Sequence, residues 1–175
     1  MIEASEKFDT IEYLKFGTDR QRQAYAVLME YEILSKLNQY CPLLVGTIPI
    51  NIDIESSDLD IICSFTDKNT FIDMLKSLFG NLSDFNIREN LSNHSVIAHF
   101  SLCSFEIEVF GQNIPTKEQH AYRHMIIEDY LLTQKGEDFR KQIIELKKQG
   151  YKTEPAFAHI LGLKGDPYLE LLNLT

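Results

Sequence analysis

Two pairs of carboxylates have types and spacing suited to chemistry. Asp58 and Asp60 stand two apart in DLDIICSF (58–65), and Glu106 and Glu108 stand two apart in SFEIEVFG (104–111). Both segments read as strands, in which alternate side chains share a face, so the members of each pair project together about 6–7 Å apart. Carboxylates that close repel unless a cation lies between them or a proton is shared. Oxygen-only ligands select a hard cation, Mg²⁺ or Mn²⁺. If the two strands are neighbours, four carboxylates converge on one face. The plainer alternative is that these acids mark the solvent side of half-exposed strands.

Other residues fit a phosphate-bearing partner. Gly46 and Thr47 lie within LLVGTIPI (43–50), where a buried strand runs into a turn, with ten residues between Thr47 and Asp58. A glycine there lets a phosphate approach the backbone, and the threonine hydroxyl can donate to it. The alternative for Gly46 is a tight turn. Further along, His120, Arg123, His124 and Glu128 fall at i, i+3, i+4 and i+8 of a helical segment and share one face. That face can reach phosphate or an acceptor, or it can be a solvated stripe with an Arg–Glu pair. Lys152, just before Thr153-Glu154-Pro155, either reaches phosphate or sits in solvent at a helix start. Arg140, Lys141, Lys147 and Lys148 read as a solvated helix face.

The elements that must carry these residues follow from periodicity. Residues 1–18 read as a lead-in. A helix begins at Thr18 or Asp19, buries Ala24, Val27, Leu28, Tyr31, Leu34 and Leu37, and ends at Pro42. Residues 43–50 and 58–65 read as strands. Asp67 caps a helix that Gly80 and Asn81 stop. Strand-like runs cover 84–90, 94–102 and 104–111, joined by breaks suited to antiparallel turns. From Lys117 the pattern is helical: 117–134, 136–149, 155–162 and 167–173. The fold class is α+β, a mixed β-sheet flanked by helices and followed by a C-terminal helical lobe. The expected division is an α/β lobe over 1–113 and a helical lobe over 114–175, with the site in the cleft between.

Composition bounds the partners. The chain has 175 residues, 44% of them apolar, and can bury a core without staples. Its 17 Lys+Arg against 26 Asp+Glu give −9 at pH 7, which disfavours long nucleic acid and anionic membrane surfaces. A nucleotide escorted by Mg²⁺ remains compatible. No apolar run is long enough to span a bilayer. Cys41, Cys63 and Cys103 are scattered, which reads as reduced thiols and a cytoplasmic location. The oligomeric state stays open.

The stretch VGTIPINIDIESSDLDI resembles the signature of the DNA polymerase β-like nucleotidyltransferase superfamily: apolar residue, Gly, a small hydroxyl residue, a spacer of about ten, then Asp-apolar-Asp-apolar. The strings GTIPINIDIESSDLDIICSF, FEIEVFGQ, EQHAYRHMIIEDYLL and YKTEPAFAHILGLKGDPYLELL resemble a small bacterial family of unknown function grouped with that superfamily. The resemblance implies that Asp58, Asp60 and one of Glu106 and Glu108 hold Mg²⁺ and act as catalytic acids. It implies that Gly46, Thr47 and Ser57 contact a nucleoside triphosphate, with Arg123 and Lys152 reaching it from the helical lobe. The implied reaction moves a nucleoside monophosphate from the triphosphate to a hydroxyl of a small molecule or protein. The alternatives are a non-catalytic nucleotide- or metal-binding or antitoxin-like protein-interaction module, and a metal-dependent phosphoesterase.

Overall fold

Thr18 has extended backbone, and its side chain accepts a hydrogen bond from the Gln21 amide while Gln21 reaches back to the Thr18 amide. This capping box opens helix α1 (Asp19–Glu30). The expected single helix to Pro42 is interrupted, because Glu32 takes a left-handed conformation with φ 55° before a short helix, α2 (Ile33–Lys36). A computed structural model describes residues 6–174. Within it the lead-in is not passive: Glu6–Asp9 and Glu12–Phe16 form 3₁₀ turns that bury Phe8, Ile11 and Leu14.

Strands β1 (Leu43–Val45), β2 (Leu59–Ser64), β3 (Ser83–Asn90), β4 (Ser95–Leu102) and β5 (Phe105–Gln112) form one sheet in the order β1-β2-β5-β4-β3. Only the β2–β5 pair is parallel. A parallel neighbour needs a long crossover, and helix α3 (Lys68–Phe79) with the β3–β4 pair supplies it. The expected strand over 43–50 is shorter, because Gly46 turns the chain with φ 84° after Val45.

The alternation of β2, β4 and β5 divides the core. Leu59, Ile61 and Cys63 join Ala98, Phe100, Ile107 and Val109 against α1 and α3. On the other face, Leu43, Val45 and Ile62 pack with Tyr122, Met125, Phe139, Ile143 and Phe157. Those partners come from α4 (His120–Lys135), α5 (Glu137–Lys148) and α6 (Thr153–Leu161), followed by α7 (Pro167–Leu172). Helix α6 starts two residues earlier than Pro155 suggests, at Thr153. The C-terminal helices thus share a core with β1 and β2. Over β4 and β5 the same face carries the polar side chains of His99, Ser101, Glu106 and Glu108, half-buried or exposed.

No helix among the described residues is long and apolar enough to cross a membrane. All three cysteines are free thiols.

Candidate functional site

Strand pairing brings the predicted acids together. In the parallel β2–β5 ladder Asp60 lies opposite Glu108, and in the antiparallel β1–β2 ladder Val45 lies opposite Asp60. Gly46 therefore turns directly over Asp60. A Cβ at Gly46 would overlap Asp60 Oδ2 and stand 3.3 Å from Asp60 Cγ. The glycine is required twice, for its positive φ and for this close approach.

Asp58, Asp60 and Glu108 line a cavity of about 870 Å³, with Gly46, Thr47 and Ser57 on the same side. His120, His124, Glu128, Lys147, Lys152 and Glu154 line it from the helical lobe. Burial, with Asp58 and Glu108 nearby, pushes the Asp60 carboxyl up to about 8. Burial and Asp58 raise Glu108 as well, opposed by Arg88, whose Nη2 stands 3.6 Å from Glu108 Oε2. Among the described residues neither Asp58 nor Asp60 is engaged by a hydrogen bond or ion pair, apart from the long-range fields just described.

The segment from Gly46 to Asp58 is fastened by its own carbonyl oxygens. Gln21 Nε2 donates to the Ile48 and Pro49 carbonyls, Arg140 to those of Ile50 and Asn51, Lys147 to Ile52 and Arg20 to Ser57. Inside the segment Thr47 Oγ1 lies 3.2 Å from Ser57 Oγ, which accepts from the Ile54 amide at 2.9 Å. Side chains from α1 and α5 grip the loop from both sides and set the backbone that leads into Asp58.

Some expected residues fall elsewhere. Glu106 shares the face of Glu108 but lies outside the cavity lining, where Ser101 Oγ donates to it and His99 Nε2 stands 3.2 Å away. The third acid at the cavity is Glu108. Arg123 is exposed and also outside the lining. It sits about 100° around α4 from His124, and the cavity side of that helix is carried by His120, His124 and Glu128. Lys152 lines the cavity. Lys147 and Arg140 are not a solvated face: Lys147 is buried and Arg140 half-buried, both bound to the loop.

Reading the sequence missed two buried charges. Lys147 is held below the ordinary lysine range by burial, opposed by Glu128, Asp53, Asp60 and Asp58. Burial and Glu154 push Glu128 up to about 8. His124 is buried beside them, with Nε2 2.8 Å from the Tyr168 carbonyl and Nδ1 3.5 Å from Glu154.

Among the described residues no three His, Cys, Asp or Glu side chains are grouped so as to hold a metal ion by themselves. The donor chemistry on the sheet side is nevertheless that of a hard cation: three carboxylates, with Asp58 and Asp60 unengaged. Mg²⁺ commonly takes one or two carboxylates and completes its shell with water and substrate phosphates, and this arrangement fits that mode.

No curated protein matches the chain in sequence. Solved structures match it in shape. The Cid1 poly(U) polymerase bound to MgATP superposes with a TM-score of 0.63 at 12% identity, over 86% of this chain and 54% of that one. The same enzyme with MgGTP gives 0.59 at 10% identity, over 78% and 47%. The GLD-2/RNP-8 complex gives 0.56 at 14% identity, over 87% and 63%. At these identities the likeness is one of fold, and the chain spans about half the length of the Cid1 structures. The fold is that of polymerase β-like nucleotidyltransferases. At the level of sequence, the family described as domain of unknown function DUF4269 matches residues 26–174, and the chain belongs to that family.

Proposed function

We propose that the protein is a Mg²⁺-dependent nucleotidyltransferase that moves a nucleoside monophosphate from a nucleoside triphosphate to a hydroxyl of a small molecule or protein. The observation that carries this reading is the register of the sheet: Asp60 faces Glu108 across a parallel ladder, beneath the Gly46 turn, inside one cavity. In this reading Asp58, Asp60 and Glu108 hold Mg²⁺, which supplies positive charge against the phosphates and the developing negative charge. Gly46 leaves its backbone open to the phosphates, Thr47 and Ser57 offer hydroxyls, and Lys152 contributes a cation from the helical lobe. The acceptor oxygen bonds to the α-phosphorus, the bond to the bridging oxygen breaks, and pyrophosphate leaves with that electron pair. Glu108 takes the acceptor hydroxyl's proton. The solved structures with the same fold include one polymerase, Cid1, with MgATP or MgGTP bound, which supports this nucleotide class. The net charge of −9 favours an acceptor that is not a long polyanion.

Titration calorimetry with ATP and Mg²⁺, with and without EDTA, tests the binding half. A triphosphate beside three carboxylates requires divalent cations, so binding should vanish in EDTA. Equal affinity in both buffers, or none at millimolar nucleotide with Mg²⁺, would move the protein to a non-catalytic interaction module. Release of pyrophosphate on incubation with candidate acceptors tests the transfer half.

A further inference from the structure

The helical wall of the cavity carries a second group that the nucleotide reading does not use. Glu128 on α4 lines the cavity opposite the sheet acids and is only 3% exposed. Its Oε1 is buried with no hydrogen-bond partner, and no ion pair within 4 Å engages the carboxylate among the described residues. An orphaned buried carboxylate oxygen is costly to a folded chain and is normally satisfied by a partner. Two candidates inside the protein do not pair with it: Lys147 spends one of its three donors on the Ile52 carbonyl and stands more than 4 Å from the carboxylate, and His124 is bound at both ring nitrogens, to the Tyr168 carbonyl and toward Glu154.

The rest of that wall shows which ligand would satisfy Glu128. Glu118, Glu154, Lys147 and Lys152 line the cavity too, and of these Glu154 and Lys147 act on Glu128 electrostatically. Even with the sheet acids and the triphosphate neutralised by divalent cations, the helical wall keeps more carboxylates than lysines. An anionic acceptor would meet the Glu118 and Glu154 carboxylates, and a neutral polyol would bring no charge to hold Glu128 ionised. An ammonium group offers three donors and the opposite charge.

We propose that Glu128 anchors an acceptor subsite for a primary ammonium group, so that the hydroxyl acceptor is an amine-bearing small molecule. This deepens the nucleotidyltransferase reading and rests on it for the word acceptor; the ammonium site stands on its own geometry. Bound ammonium would hold Glu128 ionised, pair its orphaned oxygen and lodge the rest of the molecule between the helical wall and the carboxylates of β2 and β5.

The probe is 1,3-diaminopropan-2-ol, with glycerol as the hydroxyl-only match, followed by calorimetry and melting temperature in the presence of Mg²⁺ and absence of nucleotide. The diamine should bind and stabilise while glycerol does not. Glu128→Gln should weaken the diamine about tenfold or more, the loss expected for a charge-assisted hydrogen bond. The exposed control Glu30→Gln should keep diamine binding. If Glu128→Gln folds poorly, Glu154→Gln, which removes the neighbouring charge, should give a smaller loss of the same sign. No diamine binding, equal binding of glycerol, or full retention in a folded Glu128→Gln overturns the proposal; where that variant does not fold, retention in Glu154→Gln does. MgATP binding, measured separately, distinguishes the two readings: MgATP without diamine sinks the subsite alone, and diamine without MgATP sinks the transferase alone.

Discussion

Gly46 and Asp60 constrain each other, and this pair is where a single atom matters most. Gly46→Ala would force a left-handed backbone on alanine and drive a methyl into the Asp60 carboxylate. It should cost about 1–2 kcal/mol in urea unfolding and abolish Mg²⁺-dependent nucleotide binding. Protonation gives a second prediction. Asp60 and Glu128 both titrate near 8 in the folded chain, against about 4 when unfolded. Between those values the folded chain holds more protons than the unfolded one, so stability present below about pH 4 is lost as pH rises through 8. The metal-free melting temperature should therefore fall from pH 5 to pH 8. Asp60→Asn should flatten that slope without lowering stability at pH 8, and it should remove any stabilisation by Mg²⁺. A variant that melts well below the parent at pH 8 would show that Asp60 is needed by the fold rather than by a ligand.

The elements that carry the site were legible to different degrees. The two acid strands declared themselves by alternation, Leu59, Ile61 and Cys63 against Asp58 and Asp60, and the sheet places them as neighbours. Which glutamate is the third acid was not legible, because register decides it and register lies outside any one strand. On helix α4 the spacing put Glu128 on a polar face with His120 and His124, but buried residues occupy nearly every position from Tyr122 to Glu128, so nothing in the pattern showed that this face is buried. Helix α5 did carry a signal. Phe139, Ile143 and Lys147 fall at four-residue steps on its buried stripe, and a lysine continuing such a stripe is reaching for something. The loop clamp was legible only at its root, in the helix start at Thr18. Gln21 serves both that cap and the Ile48 and Pro49 carbonyls while 6% exposed. Gln21→Ala should cost about 2–3 kcal/mol by chemical denaturation and weaken nucleotide binding by loosening the loop. Gln21→Glu, which keeps the cap but not the amide donor, separates the two roles.

At the scale of the whole molecule, fold and charge point to different partners. Solved proteins of the same fold include a poly(U) polymerase, yet this chain carries −9 on 175 residues. Each phosphate bound to a cationic side chain releases counterions, and an acidic surface forfeits that gain. A single-stranded RNA oligomer should show no retention in a gel shift at about 150 mM salt, even with Mg²⁺. Tight, salt-sensitive RNA binding would overturn the small-acceptor reading while leaving the sheet register untouched. The C-terminal helices share their apolar core with β1 and β2, so the acidic cavity is bounded by well-packed elements on both sides.

The fastening of the segment between Gly46 and Asp58 has a kinetic consequence. Its carbonyls are already spoken for by Gln21, Arg140, Lys147 and Arg20, so an arriving nucleotide meets a finished surface and not a loop that must first reorganise. Encounter should then be a single event: in rapid mixing, the observed rate should climb in proportion to nucleotide concentration with no plateau. In deuterium oxide the Ile52 amide, bonded to the Thr47 carbonyl, should exchange as slowly as amides of the central strands. Saturation of the rate or rapid exchange at Ile52 would mean that the clamp opens before the nucleotide enters.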